Sequence, residues 1–176
     1  MMRIYLTFLV AVVSLQAGFI DEFFTIKKGI KTYPNELYQE ACGDCHFAYQ
    51  PGWLPKRSWE KMMEPGELED HFGDNAEMEE EDRLATLKYL LEHAAETSDY
   101  KRPKKTLASI KPTETPLRIS ETRYLKRKHS DIPEKLIKQK DVLSLAQCNK
   151  CHQHAKEGVF DDDDVKIPNY GRWDDW

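Results

Sequence analysis

The pattern Cys-x-x-Cys-His occurs twice in this chain, at Cys42-Gly43-Asp44-Cys45-His46 and at Cys148-Asn149-Lys150-Cys151-His152. This spacing is the attachment signature of a c-type haem. The two cysteine sulfurs add to the two vinyl groups of the porphyrin. A short helical turn places both sulfurs at one ring edge and puts the next residue, the histidine, under the iron. The two copies use all four cysteines of the chain. A zinc site would need more cysteines close by or another histidine offset. A redox-active dithiol gives no reason for the histidine to recur at the same place. Two covalently attached haem c groups are therefore expected, one on Cys42, Cys45 and His46, the other on Cys148, Cys151 and His152.

The N-terminus agrees with this chemistry. Arg3 is followed by the apolar run Ile4–Val13 and then by Ser14-Leu15-Gln16-Ala17. A short positive region, an apolar core and a small residue describe a secretory signal peptide over residues 1–17, cleaved near Ala17. The run is shorter than the ~20 residues of a spanning helix, and no later stretch of the sequence could cross a bilayer. Export to the periplasm fits, because bacterial haem attachment takes place outside the cytoplasm. No cysteine is left for disulfides, so thioether bonds and iron ligation should staple the fold.

The rest of the sequence reads as mostly α: a small c-type cytochrome with two haem-binding domains and long loops. The first domain is expected over residues 18–99, a linker or crossover over 100–118, and the second domain over 119–176. Leu37, Tyr38 and Ala41 form a helical stripe leading into Cys42. Pro51-Gly52-Trp53-Leu54-Pro55 reads as a loop suited to lining a porphyrin face. A short helix is expected from Lys56 to Met63, stopped by Pro65-Gly66, and a turn at His71–Asn75. A longer helix is expected from Glu79 to about Glu96 with its stripe on Leu84, Leu87, Leu91 and Ala94. Prolines at 103, 112 and 116 predict extended chain in the linker. A helix through Val142, Leu145 and Ala146 is expected to deliver Cys148.

His46 and His152 are proximal iron ligands by motif position. The sixth positions could be filled from His71, His93, His129 and His154, or from Met62, Met63 and Met78. His154 is too close to His152 to reach the opposite face of the same porphyrin, and His93 lies off the helix stripe. His71 sits in a turn beyond the Trp59 helix, and His129 stands in a break ahead of the second motif. The simplest assignment is His46/His71 for the first haem and His129/His152 for the second.

These pieces together resemble the bacterial dihaem cytochrome c family. The resemblance is carried by Ala41–Gly52, Arg57-Ser58-Trp59, His71–Ala76, Glu121–Tyr124 with His129, and the second motif followed by Ile167-Pro168. Arg123 stands as a local variation. The resemblance implies a periplasmic electron carrier with bis-histidine haems and supports His71 and His129 as distal ligands. It also implies redox proteins as partners; some members exchange electrons with a small oxygen-binding cytochrome and a membrane cytochrome b. Six-coordinate, low-potential haems are expected. The alternative reading is a dihaem peroxidase or small-molecule reductase with one open or ligand-releasing haem, which would need a distal acid-base residue. No peroxidase-like pattern is evident. A third reading is a redox subunit held to the membrane by an uncleaved N-terminus. The basic stretches at 101–105 and 126–128 and the acidic ones at 67–82 and 161–164 could steer a redox partner. They lack the interleaved aromatics of a nucleic-acid site.

Overall fold

The computed structural model describes residues 28–173. The expected signal peptide lies outside these residues. No helix among the described residues is long and apolar enough to cross a membrane.

Helix α1 spans Glu36–Gly43, and the Asn35 side chain caps it by accepting the Tyr38 N–H at 2.8 Å. The helix ends inside the first motif. Cys42 is in its last turn, and Cys45 and His46 follow in the turn beyond. A single 3-10 turn at Pro51–Trp53 leads to α2, Lys56–Met62. Trp59 of α2 is buried and donates its indole N–H to the Pro51 carbonyl at 2.8 Å. Pro65 opens α3, Pro65–Glu69, instead of only ending α2. At the first helical position its missing N–H costs nothing.

Helix α4, Glu80–Glu92, carries Glu80, Glu81 and Asp82 in its first turn, where the helix dipole favours negative charge. It is shorter than the sequence suggests. It buries Thr86, Tyr89 and Leu90, whereas Leu84 is 50% exposed. Leu87 and Leu91 only flank the core. The leucine stripe marks the correct side of the helix, but the buried centre is the face that meets α1 and α2.

The largest departure is α5, Lys101–Ser109, in the stretch expected to be extended. Pro103 falls within the first helical turn, where no intrahelical N–H bond is lost. Pro103 and Thr106 are buried as the helix packs on the Pro51–Trp53 turn and on α6, Arg123–Lys128. Helix α7 covers Glu134–Ile137. The helix expected through Val142, Leu145 and Ala146 is absent. Residues 138–147 are turns, with Leu143 at φ 72° and the Ser144 hydroxyl accepting the Ala146 N–H at 3.2 Å. A serine oxygen that takes a nearby backbone N–H competes with helix formation. A 3-10 turn at Cys148–Lys150 holds the second motif. Strands β1, Lys166–Ile167, and β2, Gly171–Arg172, pair antiparallel with Ile167 opposite Gly171.

One apolar cluster joins these elements. It runs from Ile30, Tyr38 and Trp53 through Leu90 and Ile119 to Tyr124, Leu125 and Phe160. Residues 28–33 are pinned across the chain, because the Ile30 N–H donates to the Gly158 carbonyl at 2.9 Å. Gly158 has φ 76°, and a Cβ there would lie 2.0 Å from the Ile30 carbonyl oxygen. A side chain at 158 must therefore move backbone. Gly158→Ala is expected to destabilise the holoprotein by about 1–3 kcal/mol. At about 2–4 °C per kcal/mol, thermal unfolding should register the loss clearly.

Candidate haem sites

The first site is assembled by the end of α1 and the turn after α3. His46 sits just past α1 and donates its Nδ1–H to the Phe47 carbonyl at 2.8 Å. His71 is held by a tight turn, in which its N–H donates to the Asp74 carbonyl at 2.8 Å and the Asp74 N–H returns to the His71 carbonyl at 3.3 Å. Phe72 (φ 62°) and Gly73 (φ 103°) make that turn. The two imidazole ring centroids are 6.2 Å apart and their planes differ by 20°.

The second site has the same separation with another orientation. His129 follows α6 and donates its Nδ1–H to the Leu125 carbonyl at 2.8 Å. With Nδ1 protonated in each case, His46 and His129 present Nε2 as the free lone pair. The ring centroids of His129 and His152 are 6.3 Å apart, and their planes cross at 82°. Two imidazoles that share a metal at ~2 Å from each nitrogen have ring centroids about 6 Å apart. Both pairs have that spacing, so the gap between the rings fits one iron in each site.

Burial lowers the pKa of His71 and of His129, and takes His152 down to about 4. These rings are neutral at neutral pH, the form that ligates metal. Burial acts on the thiols in the opposite direction. It raises Cys42 to about 11 and Cys148 to about 12, and pushes Cys151 up as well. Such thiols are protonated and lack the thiolate character of redox-active pairs.

The remaining candidates lie elsewhere. His93 stacks on Tyr33 at 3.6 Å, with Tyr89 against its edge. His154 is exposed and forms an ion pair with Asp164 at 2.5 Å. Met63 is buried in the core, with Met62 and Met78 packed against it.

The second pair borders a deep apolar cavity whose walls include Ile119, Leu125, Leu136, Val142, Val165 and Trp173, together with Cys148 and Cys151. The first site adjoins a cleft bordered by Tyr38, Phe47, Tyr49 and Tyr89 and also by Asn149 of the second motif. Tyr49 ties the two sites together. Its ring lies 5.2 Å from that of His46, and its hydroxyl donates to the Ala146 carbonyl at 2.7 Å, two residues before Cys148. Arg118 stacks over Phe72 at 3.9 Å, next to His71, while its neighbours Ile119 and Ser120 line the second cavity.

Two further residues of the second cavity have no signal in the sequence that places them there. Trp53 belongs to a loop suited to lining a porphyrin face, within the stretch assigned to the first domain, and it borders the second cavity. Arg102 belongs to a run expected on a basic surface, yet its side chain is 14% exposed and borders the same cavity. A proline-flanked basic run carries no local mark of burial, so only its packing against α6 identifies Arg102.

Residues 38–160 match the family model described as dihaem cytochrome c. The chain is also similar to solved structures. The X-ray structure of the dihaem cytochrome c from Shewanella baltica OS155 is 35% identical, with TM-score 0.64, over 81% of this chain and 100% of that one. The dihaem cytochrome c from Rhodobacter sphaeroides is 34% identical, with TM-score 0.64, over 75% of this chain and 99% of that one. Nothing among curated proteins matches.

Proposed function

This chain belongs to the dihaem cytochrome c family and carries two covalently attached haem c groups, and on that premise we propose that it is an exported electron carrier with two bis-histidine irons. One observation carries the ligand assignment: the ring separation of 6.2 Å between His46 and His71 recurs as 6.3 Å between His129 and His152. Each haem supplies a one-electron Fe(III)/Fe(II) couple.

The protein's part is to close the sites and hold them still. Histidines on both faces leave no position for dioxygen, peroxide or nitrite. The carbonyls of Phe47 and Leu125 fix the rings of His46 and His129 by accepting their Nδ1–H groups. Fixed ligands keep rearrangement small when the iron changes oxidation state. Tyr49 and the 118–120 crossover keep the two sites adjacent, as one carrier with two centres requires. The apolar run before Ala17 supports export to the periplasm. Redox proteins are the partners, with a small oxygen-binding cytochrome and a membrane cytochrome b as the types the family resemblance suggests.

Optical spectra of the purified holoprotein, oxidised and reduced, with and without carbon monoxide, test this reading. Two low-spin haems that ignore carbon monoxide are expected. A high-spin component, or a reduced haem that takes carbon monoxide, would open that site and bring a peroxidase or reductase role forward.

A further inference from the structure

Besides His152, two residues that line the second cavity carry buried N–H donors with no hydrogen-bond partner among the described residues: Arg102 at Nε and Trp53 at Nε1. They share a neighbour. The Trp53 ring packs edge-on against Phe160 at 5.1 Å, and Arg102 donates through Nη2 to the Phe160 carbonyl. Phe160 in turn lies against the ring of His152 at 5.3 Å. Leaving a buried donor unpaired costs about 1–3 kcal/mol, so two on one wall point to an acceptor that belongs there. The haem is the group this cavity takes, and its only strong acceptors are its propionate carboxylates.

We propose that Arg102 and Trp53 form a carboxylate cradle for the second haem, and that the Arg102 guanidinium holds this haem at the higher potential of the two. The inference rests on the two-haem reading of the cavity and adds a tuning residue to it. A ferric haem carries one more positive charge than a ferrous one. A propionate left unpaired would favour the ferric form, and a buried cation that neutralises it favours the ferrous form.

Other charges around the cavity largely offset one another. Lys128 and Asp162 both line it and pair at 3.1 Å. Asp161 lies 3.4 Å from Arg102 and offsets part of its charge, but only part, because the Asp161 side chain is 45% exposed to water. Among the described residues the first site has no buried counterpart: Arg118, beside His71 and Phe72, is 46% exposed.

The two haems can be followed separately. Crossed imidazole planes (82°) and near-parallel ones (20°) give distinct low-spin signals in electron paramagnetic resonance, so a redox titration read this way assigns each wave. In the wild type the crossed-pair haem should be reduced first. In Arg102→Gln its Fe(III)/Fe(II) equilibrium should move at least tenfold toward ferric, 59 mV for a one-electron couple, with the other wave unmoved. Arg102→Lys should recover part of the shift. Asp161→Asn, which removes the countercharge, should move the same wave the opposite way.

Haem content is counted in every sample, so loss of the cofactor is distinguished from a change in its potential. Two retained haems with unchanged waves in Arg102→Gln would overturn the proposal. So would a crossed-pair haem that is reduced second in the wild type. If Arg102→Gln fails to retain the second haem, Asp161→Asn decides, and an unmoved wave there is equally fatal.

Discussion

In His71→Ala, the first haem should bind carbon monoxide on reduction while the second stays closed. Half the haem of the preparation changes spin state, which is the largest spectroscopic effect any single substitution here is expected to produce. His71 stands on a turn built by Phe72 and Gly73 rather than inside a helix, so its side chain can be removed without disturbing a buried element. Among the described residues no replacement histidine is at hand: His93 is packed against Tyr33 and Tyr89. Loss of one imidazole, a strong donor to ferric iron, should also raise the potential of that haem. Magnetic and optical spectra of the oxidised protein, followed by carbon monoxide titration of the reduced one, provide the measurement. A first haem that stays low-spin and indifferent to carbon monoxide would remove His71 from the ligand set. His129→Ala should open the second haem in the same way but at a greater cost in stability, because His129 lines the apolar cavity and terminates α6.

Much of this site is legible in the amino-acid sequence. The motif spacing locates four cysteines and two histidines without help from the fold, because thioether chemistry requires them at that spacing. His71 and His129 stand in breaks of the helical pattern near a motif, and the fold sets their ring centroids 6.2 and 6.3 Å from those of His46 and His152. Local periodicity serves well where an element is long and packs on one side, as in α1 and α4. It fails where side chains or distant contacts override it. The Ser144 hydroxyl and the left-handed Leu143 replace a helix that the spacing of Val142, Leu145 and Ala146 suggests. The run Lys101–Lys105 reads as solvated linker, yet α5 forms because Pro103 falls in its first turn and Thr106 finds a buried place against the rest of the fold. Trp53 and Arg102 belong to the second cavity although both precede residue 119 in sequence, and no pattern along the chain announces such a crossing.

Replacing both thiols of the second motif, Cys148→Ser with Cys151→Ser, should leave one haem per chain and an unfolded second half. The elements around that cavity are too short to persist alone. Helix α6 has six residues, α7 has four, and each β-strand has two. Isolated helices need roughly 12–15 residues to be even marginal in water. What holds them is apolar surface shared with the group between them: Ile119, Leu125, Val142 and Val165 all face the cavity. An apolar void of ~300 Å³, the low end for a cofactor site, costs about 7 kcal/mol at ~24 cal/mol per Å³. That rivals the whole stability of a domain, about 5–15 kcal/mol, so the walls should collapse or unfold rather than stand open. The damage should stop short of α1, α2 and α4, whose packing on one another does not involve the second cavity. Haem-to-protein ratio and amide hydrogen exchange measure both parts. Protection should be lost over residues 119–173 and kept over Glu36–Gly43 and Glu80–Glu92. Native protection across 119–173 in a one-haem protein would mean that the chain shapes this half by itself, with the cofactor bound to a scaffold already formed.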